Sequence, residues 1–367
     1  MKMSDSRNDF LNSLASRQIK YNLGAGVPPM DLYPEFNPGL LFGIEAPAKR
    51  NQSINYHATQ GFTRETASKV LAVNENIFFD PENIVITNGV QEAIALAISC
   101  FKNKTLACIE PSYPGFEDAA TTFACQVLKL SEENWLEEVE KLPEDSLFYL
   151  SADFSNPTGY SLTPEERNKL CEIAKRNKFY VFDDATYRPF YIDIKPQSLL
   201  SLNKDYVIHA VSFSKILAPG LRTAFVYLPE KLKTAFVGNK SNLSLNNSGI
   251  TQKIVHNWLA ENNFQLAAHL DLAKERLRRN RKIINEHGIS FDGGFFCRMT
   301  LSKKADFNFC TTLLDKEQIA VVPMQLFTEN PKFENQLRLC IANVEDDALD
   351  LVLNQIKNFT TDSYHEH

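Results

Sequence analysis

The chain has 367 residues, 44% hydrophobic and 23% charged, a composition and length typical of a globular protein with two lobes. Its formal net charge of -6 gives no bulk attraction for nucleic acid or for an anionic membrane surface. Seven scattered cysteines without CxxC spacing argue against disulfides and a metal site, and the lack of an apolar leader or of an apolar run of about 18 residues predicts a cytoplasmic protein.

Short apolar runs alternate with helical patterns between residues 84 and 228. The predicted strands are 84–87, 106–109, 126–130, 147–150, 179–182, 206–211 and 224–228. Helices are predicted at 91–101 and at 164–177, where Thr163 caps the helix and Pro164 begins it. This alternation predicts a mainly parallel sheet covered by helices on both faces, in which ligands bind at the carboxyl ends of the strands.

The pattern changes after residue 228, where helices are predicted at 250–262, 264–287 and 345–358 between short strands. We interpret this part as a smaller α+β domain. The large domain is predicted at 36–245, and 1–35 with 246–367 form the small domain. The basic run ERLRRNRK lies in the second of these helices, and we interpret it as a solvated helix face rather than a nucleic-acid surface.

The most informative segment follows the strand 206–211 and contains Ser212, Ser214, Lys215 and Arg222. A lysine amine can form an imine with an aldehyde. The two hydroxyl groups and the guanidinium can hold a phosphate dianion, which arginine binds in a bidentate way. Taken alone, the segment is equally compatible with a plain polar loop after a strand.

Other polar motifs also follow predicted strands. Gly89 opens a helix directly after a strand, where free backbone N–H groups can face an anion. Tyr113 follows the next strand, and Asn156 lies in an Asn-Pro-Thr-Gly turn after the fourth. Asp183 and Asp184 come at the end of the fifth, where two acids are costly unless they are hydrated or paired with a cation.

In this order and spacing, the motifs from Tyr21 to Arg338 resemble the class I/II aminotransferases, which are fold type I pyridoxal-phosphate-dependent enzymes. The resemblance implies that pyridoxal 5'-phosphate is the cofactor. It also implies the aspartate-aminotransferase-like arrangement of a large and a small domain. Position 90 departs from the family pattern, because it is Val where many members carry Ser or Thr.

The resemblance implies a catalytic role for three residues. Lys215 would carry the cofactor as a Schiff base, Asp184 would pair with the pyridine nitrogen, and Tyr187 would hydrogen-bond the ring 3-oxygen. Tyr113 would stack on the ring, and Asn156 would bond the 3-oxygen and contact the substrate. The residues implied at the phosphate are Gly89, Val90, Gln91, Ser212, Ser214 and Arg222.

The resemblance also implies how the substrates and a second subunit are bound. Arg338 would clamp the substrate α-carboxylate, and the segment containing Gly26 would close over it. Tyr56 would reach the phosphate of the neighbouring subunit, which predicts a homodimer with shared active sites. Arg298 is expected to face outward from a small-domain strand, although a contact with an acidic substrate side chain stays open.

The predicted reaction is transfer of an amino group between an amino acid and a 2-oxo acid. The same framework also supports β-lyases, racemases, decarboxylases and oxidases, because fold does not fix the reaction. A non-catalytic cofactor-binding protein is a further alternative. A dinucleotide enzyme is disfavoured, since no GxGxxG motif follows the first strand of the predicted sheet.

Overall fold

The computed structural model describes residues 10–12, 14, 17–26, 33–34, 54–267 and 269–359. The predicted domain boundary between residues 35 and 36 lies outside these ranges. The strands in chain order are β1 Tyr21–Asn22, β2 Ile84–Thr87, β3 Leu106–Glu110, β4 Val127–Ser131, β5 Leu147–Leu150, β6 Tyr180–Asp184, β7 Val207–Ser212, β8 Ala224–Tyr227, β9 Phe296–Thr300, β10 Ile319–Ala320, β11 Val322–Pro323 and β12 Gln336–Cys340.

The helices form between these strands and after them. In chain order they are α1 Arg64–Glu75, α2 Gly89–Cys100, α3 Pro114–Thr122, α4 Trp135–Val139, α5 Pro164–Asn177, α6 Leu199–Leu202, α7 Glu230–Leu243, α8 Gly249–Glu261, α9 Asp271–Glu286, α10 Phe307–Glu317 and α11 Asp346–Asn358. Helix α5 begins as predicted, because the Thr163 hydroxyl accepts from the Glu166 N–H and the Glu166 carboxylate accepts from the Thr163 N–H.

Seven strands form the large sheet in the order β2-β8-β7-β6-β5-β3-β4. Strand β8 is antiparallel to both of its neighbours, and the other paired strands are parallel. The prediction of a mainly parallel sheet is confirmed, and each predicted strand matches an observed one with ends that differ by at most two residues.

Both faces of this sheet are buried except along the edge strand β4, and successive strand side chains point alternately to the two faces. On β2, for example, Ile84 and Ile86 lie in one hydrophobic core, whereas Val85 lies in the other. Helices cover both faces, with α1 and α8 contributing to the first core and α2 to the second. Such double coverage explains why the strands read as continuous apolar runs.

The smaller lobe contains an antiparallel sheet in the order β11-β12-β9. Side chains of α9, α10 and α11 pack with it in a third hydrophobic core. Strand β1 pairs in parallel with β10, so the segment from Tyr21 to Gly26 lies against this lobe. The pairing brings residues close to the beginning of the described chain next to the strand that carries Arg338.

One predicted helix, 264–287, was wrong at its start, because α9 begins only at Asp271. Asn263 and Phe264 have positive φ angles of 51° and 59°, a conformation that ends a helix rather than continuing it. Helices α1, α3, α4, α6, α7 and α10 had not been predicted. Because α8 packs in the core of the large sheet, we propose that the boundary predicted at 245/246 lies nearer residue 270.

The seven cysteines are all free. Within the described residues, no helix is long and apolar enough to cross a membrane. The same part of the chain contains no cluster of three or more histidine, cysteine or acidic residues able to hold a metal ion.

Candidate active site

A cavity of about 350 Å³ lies at the carboxyl ends of the large-sheet strands, between the two lobes. It brings together most of the residues singled out in the sequence: Gly26, Val90, Gln91, Tyr113, Asn156, Asp184, Tyr187, Ser212, Ser214, Lys215, Arg222 and Arg338. Tyr149, Ser151 and Thr186 also line it and had not been predicted. Gly89 lies behind this lining, in contact range of Arg222.

Lys215 lies in the turn after β7, and its side chain is half-buried. The turn is held by backbone bonds in which Phe213 N donates to Thr223 O at 3.0 Å and Leu217 N donates to Phe213 O at 2.9 Å. Burial lowers the pKa of the Lys215 amine to about 8, and the nearby Arg222 and Arg338 guanidinium groups act in the same direction. A pKa of about 8 leaves roughly a tenth of the amine neutral at pH 7, far more than for an ordinary lysine, which favours its use as a nucleophile and base.

Asp184 lies at the end of β6 with its carboxylate in the cavity. One oxygen accepts a hydrogen bond from the Tyr149 hydroxyl at 3.0 Å. The other accepts from both the backbone N–H and the hydroxyl of Thr186. Burial raises the pKa of Asp184, because the charged form loses water, and the hydrogen bonds oppose this shift. A cation beside the carboxylate would restore its preference for the charged form.

The amino end of α2 faces the cavity opposite this acid. The Asn88 side chain makes no cap hydrogen bond, so the first N–H groups of the helix are available for an anion. Arg222 lies beside them, donating to the Ser214 hydroxyl and to the Asn88 carbonyl oxygen, both at 3.2 Å. Gly89 has φ +75°, and a Cβ there would lie 2.5 Å from Arg222 Nη2, so this approach requires glycine.

Tyr113 and Gln91 form a fixed pair at the mouth of the cavity. The Tyr113 hydroxyl donates to Gln91 Oε1 at 3.1 Å, and Gln91 Nε2 donates to the Gly115 carbonyl oxygen at 2.8 Å. The two bonds set the orientation of the Tyr113 ring. An aromatic ring held in this way offers a face on which a planar ligand can stack.

Arg338, on β12, is buried on the side of the cavity formed by the small lobe. Its Nη1 donates to Asn156 Oδ1 at 3.0 Å, and its Nη2 donates to the Gly24 carbonyl oxygen. Its Nε is buried without a hydrogen-bond partner, and within the described chain no carboxylate pairs with it. A buried guanidinium without a counter-ion is costly, and burial lowers the pKa of Arg338, so the site favours an incoming anion.

Aromatic side chains fix the remaining wall. The Tyr187 ring lies edge-on to Phe295 and Phe296, with centroid separations of 5.4 and 5.0 Å. A Cβ on Gly26 would lie 3.0 Å from the Phe296 ring, so a larger residue at position 26 would push on this wall. The Arg338 guanidinium lies 4.6 Å from the centroid of the same Phe296 ring.

These groups fit pyridoxal phosphate at each of its functional ends. Lys215 presents an amine for the aldehyde, and Asp184 an acid for the ring nitrogen. The amino end of α2 and Arg222 present donors for the phosphate. Arg338 is not needed for the cofactor and can bind the carboxylate of a substrate.

Two of the predicted positions lie elsewhere. Tyr56 is 86% exposed and does not line the cavity. The expectation that Arg298 faces outward was wrong, because Arg298 pairs in register with Arg338 and therefore shares its face of the sheet. Arg298 Nη1 donates to Glu132 Oε2 of the large lobe at 2.8 Å.

Comparisons with known proteins agree with this geometry. The family model for aminotransferase class I and II matches residues 18–356. A 2-aminoadipate transaminase of Thermus thermophilus is 28% identical over 92% of this chain and 89% of its own length. The uncharacterized HTH-type transcriptional regulator YdeF of Bacillus subtilis is also 28% identical, over 56% of this chain, but the match covers only 46% of that protein.

The fold agrees with solved structures as well. LysN, an α-aminoadipate aminotransferase from Thermus thermophilus complexed with N-(5'-phosphopyridoxyl)-L-leucine, superposes with a TM-score of 0.80. The match covers 97% of this chain and 96% of that one, at 24% identity. Since the family model spans nearly the whole chain, this protein belongs to the class I and II aminotransferases and is a pyridoxal-phosphate-dependent transferase.

Proposed function

We propose that this enzyme transfers the amino group of an amino acid to a 2-oxo acid, with Lys215 as the residue that holds the cofactor covalently. The observation that supports this assignment best is the cavity shared by the Lys215 amine, the Asp184 carboxylate and the Arg338 guanidinium. Bound pyridoxal phosphate supplies an electron sink beside the substrate Cα–H bond. The protein must then position that bond and move its proton.

Arg338 determines which substrate bond is aligned for cleavage. Its guanidinium, oriented by Asn156 and the Gly24 carbonyl oxygen, binds the α-carboxylate through charge-assisted hydrogen bonds. A carboxylate held in this way is kept from leaving, so the Cα–H bond is the one presented for reaction. This orientation favours transamination over decarboxylation, and positioning of this kind can lower the barrier by several kcal/mol.

Lys215 moves the proton. Its amine lies in the cavity with the groups that would hold the cofactor and the substrate, and its lowered pKa suits it to accept the proton from Cα. Asp184, supported by Tyr149 and Thr186, keeps a negative charge at the ring nitrogen. Arg222 and the amino end of α2 would hold the phosphate.

We also propose that two copies of the chain form the active unit in the cytoplasm. Tyr56 is almost fully exposed in the single chain, which suits a residue that reaches the phosphate in the neighbouring subunit. The partners proposed are small molecules rather than nucleic acid, in keeping with the net charge of -6. Analytical ultracentrifugation of wild type and a Tyr56→Phe variant, together with activity, tests the assembly; an active monomer contradicts it.

A second candidate is a cofactor-binding protein without turnover, because the similar YdeF protein is named a transcriptional regulator. The Lys215, Asp184 and Arg338 constellation favours catalysis, since binding alone does not require a base beside Cα. The two candidates differ in whether a bound amino acid is converted to a product that leaves the site.

A half-reaction tests the proposal. The enzyme is loaded with pyridoxal phosphate, and amino acids are added without an acceptor. We expect loss of the yellow colour and release of one 2-oxo acid per site, and then return of the colour on addition of a 2-oxo acid. Continuous release of ammonia would indicate a lyase or oxidase, and release of carbon dioxide would contradict the role of Arg338. A bound amino acid that is never converted would support the cofactor-binding protein.

The Lys215→Ala variant is the control for this experiment. It keeps Arg222 and the amino end of α2, so it should still bind the cofactor. Because it lacks the base, it should release no 2-oxo acid. Release at the wild-type rate would show that another residue moves the proton.

A further inference from the structure

We infer that the amino acid substrate of this enzyme has an apolar side chain, an inference that rests on the proposed transamination. It comes from a second cavity, which we call the vestibule, with a volume of about 780 Å³. The vestibule continues directly from the Lys215 cavity, because Gly26, Tyr113, Asn156 and Arg338 line both. A substrate held by Arg338 therefore extends its side chain into the vestibule.

The outer wall of the vestibule is apolar and comes from two distant parts of the chain. Residues from the segment before β1 form one side, and residues after β10 form the other. The apolar side chains used here are Leu11, Leu14, Ile19, Val322, Leu326 and Phe327. Val322, Leu326 and Phe327 are buried, so this side of the wall is part of the packed core of the small lobe.

The polar side chains of the vestibule are largely engaged with the protein itself. Asn22 Oδ1 accepts from the N–H groups of Gly24 and Ala25, at 3.1 and 2.9 Å. Gln91 is bonded through its amide nitrogen to Gly115 and through its oxygen to Tyr113. These groups shape the backbone and the ring at the mouth and leave little capacity to recognise a polar substrate side chain.

The positive charges near the vestibule have other tasks. Among the residues described as lining it, the basic ones are Arg222 and Arg338. Arg222 belongs to the phosphate end, and Arg338 to the α-carboxylate. The acid on this lining, Asp118, is exposed and carries no positive charge for a second carboxylate. An acidic substrate side chain would therefore find no counter-ion on this described lining.

Arg298 does not supply the missing cation. It lines a different cavity of about 210 Å³, which shares Tyr149, Ser151 and Asn156 with the Lys215 cavity, and it does not line the vestibule. Its charge is already matched by Glu132 at 2.8 Å. Withdrawing Arg298 from this pair would leave the Glu132 carboxylate half-buried without its partner.

The consequence for specificity follows from burial. The transfer of an apolar side chain from water to the wall of Leu14, Ile19 and Phe327 is favourable. A carboxylate in the same place loses its hydration without gaining an ion pair. We therefore expect kcat/KM for leucine, methionine or phenylalanine to exceed that for glutamate or 2-aminoadipate on the order of 100-fold.

The first experiment measures kcat/KM for these five amino acids with the pyridoxal-phosphate-loaded enzyme and a fixed 2-oxo acid acceptor. A preference for glutamate or 2-aminoadipate would overturn the apolar assignment while leaving transamination intact. Failure of every amino acid, by contrast, would refute the proposed transamination. The two outcomes are thus distinguishable.

The second experiment measures binding without turnover. Isothermal titration calorimetry compares 4-methylpentanoate with glutarate, which both carry one carboxylate for Arg338 but differ at the other end. We expect 4-methylpentanoate to bind about tenfold more tightly or better. Equal or tighter binding of glutarate would overturn the inference even if the enzyme proved inactive towards every amino acid tried.

A variant with an added cation tests the wall directly. Ile19→Arg, at a half-buried position, should raise kcat/KM for 2-aminoadipate relative to leucine by about tenfold, because it supplies a charged partner. Leu11→Arg, at a position that is 42% exposed, does the same with less risk to folding. Ile194→Arg, 86% exposed and outside both cavities, is the matched control and should leave the ratio unchanged. An unchanged ratio in both vestibule variants would contradict the assignment.

Discussion

Asp183 and Asp184 are adjacent on β6, yet their carboxylates lie on opposite faces of the sheet. Asp184 accepts from Tyr149 and lines the cavity that contains Lys215. Asp183 lies on the other face, where its carboxylate contacts His209 Nδ1 at 2.8 Å. The alternation of a strand assigns one acid to the cofactor side and the other to the core behind it.

The two acids should therefore respond differently to the same change. We expect Asp184→Asn to lower kcat about 100-fold or more, because the ring nitrogen loses its negative partner. Asp183→Asn is the matched control: its amide oxygen can still accept from His209, so kcat should stay within about threefold of wild type. Steady-state kinetics with a good amino donor measure both. An equal loss in the two variants would contradict the assignment of Asp184.

Asp184 should also affect the stability of the cofactor-free protein. Its folded-state pKa is raised by burial, so folding favours the protonated form. The free energy of unfolding should then fall as pH rises from the pKa of this group in the unfolded chain to its higher pKa in the folded protein. Asp184→Asn removes that dependence, so the cofactor-free variant should melt at or above the wild-type temperature at pH 8. Thermal unfolding followed by circular dichroism between pH 4 and 8 measures the difference, and a clearly lower melting temperature for the variant would oppose this explanation.

Tyr149 is expected to act through Asp184. Tyr149→Phe removes the hydroxyl that donates to the Asp184 carboxylate, and the ring stacked 4.6 Å from Phe116 is retained. We expect kcat to fall roughly tenfold, as for the loss of one hydrogen bond to a charged group. The visible absorption of the bound cofactor should shift with pH differently from wild type, a change that a purely structural defect would not produce. If both kcat and the pH profile of the spectrum are unchanged, Tyr149 does not position Asp184.

Arg338 and Arg222 should separate substrate binding from cofactor binding. Arg338→Ala should weaken binding of both the amino acid and the 2-oxo acid by roughly 2–5 kcal/mol, because both carry the same carboxylate. Its affinity for the cofactor should change little, since the phosphate is assigned to Arg222 and the amino end of α2. Arg222→Ala should show the reverse pattern. Equilibrium dialysis measures the affinity for the cofactor, and titration with a 2-oxo acid measures the affinity for the substrate. A variant that loses both affinities to the same degree would contradict the assignment of separate sites.

Lys215 should make cofactor attachment dependent on pH. Its pKa is lowered to about 8, and only the neutral amine attacks the aldehyde. The rate at which the cofactor-free enzyme takes up pyridoxal phosphate should therefore rise with pH and level off above about 8. Stopped-flow absorption at constant ionic strength measures the profile. A rate that keeps rising to the ordinary lysine pKa, near 10.4, would show that burial does not depress this group.

Much of the site could be predicted because its residues follow the strands. Lys215, Asp184 and Asn156 each come after an apolar run, and the carboxyl ends of parallel strands meet at one edge. Tyr149 was missed because it lies within the apolar run LFYL, which reads as core. Its hydroxyl becomes visible as a functional group only when β5 is placed beside β6.

The errors have physical causes too. Strand periodicity shows that Arg298 lies on one of two faces of its strand, but it does not show which face meets the other lobe. The pairing with Arg338 answers that question. The start of α9 was misplaced because Asn263 and Phe264 adopt positive φ angles, which side-chain polarity does not reveal. The vestibule could not be anticipated, since its wall joins Leu14 to Phe327 across most of the chain.

The hydrogen bond from Arg338 to Gly24 joins residues 314 positions apart. The sheet strands from 84 to 227 can pair as soon as they have left the ribosome, whereas the carboxylate clamp must wait for β12. Closing so long a loop is slow, because the chain loses conformational entropy before the stabilising contact has formed. A nascent or truncated chain would thus acquire its cofactor-binding half first, and would gain the ability to discriminate among amino acids only after β12 has been synthesised.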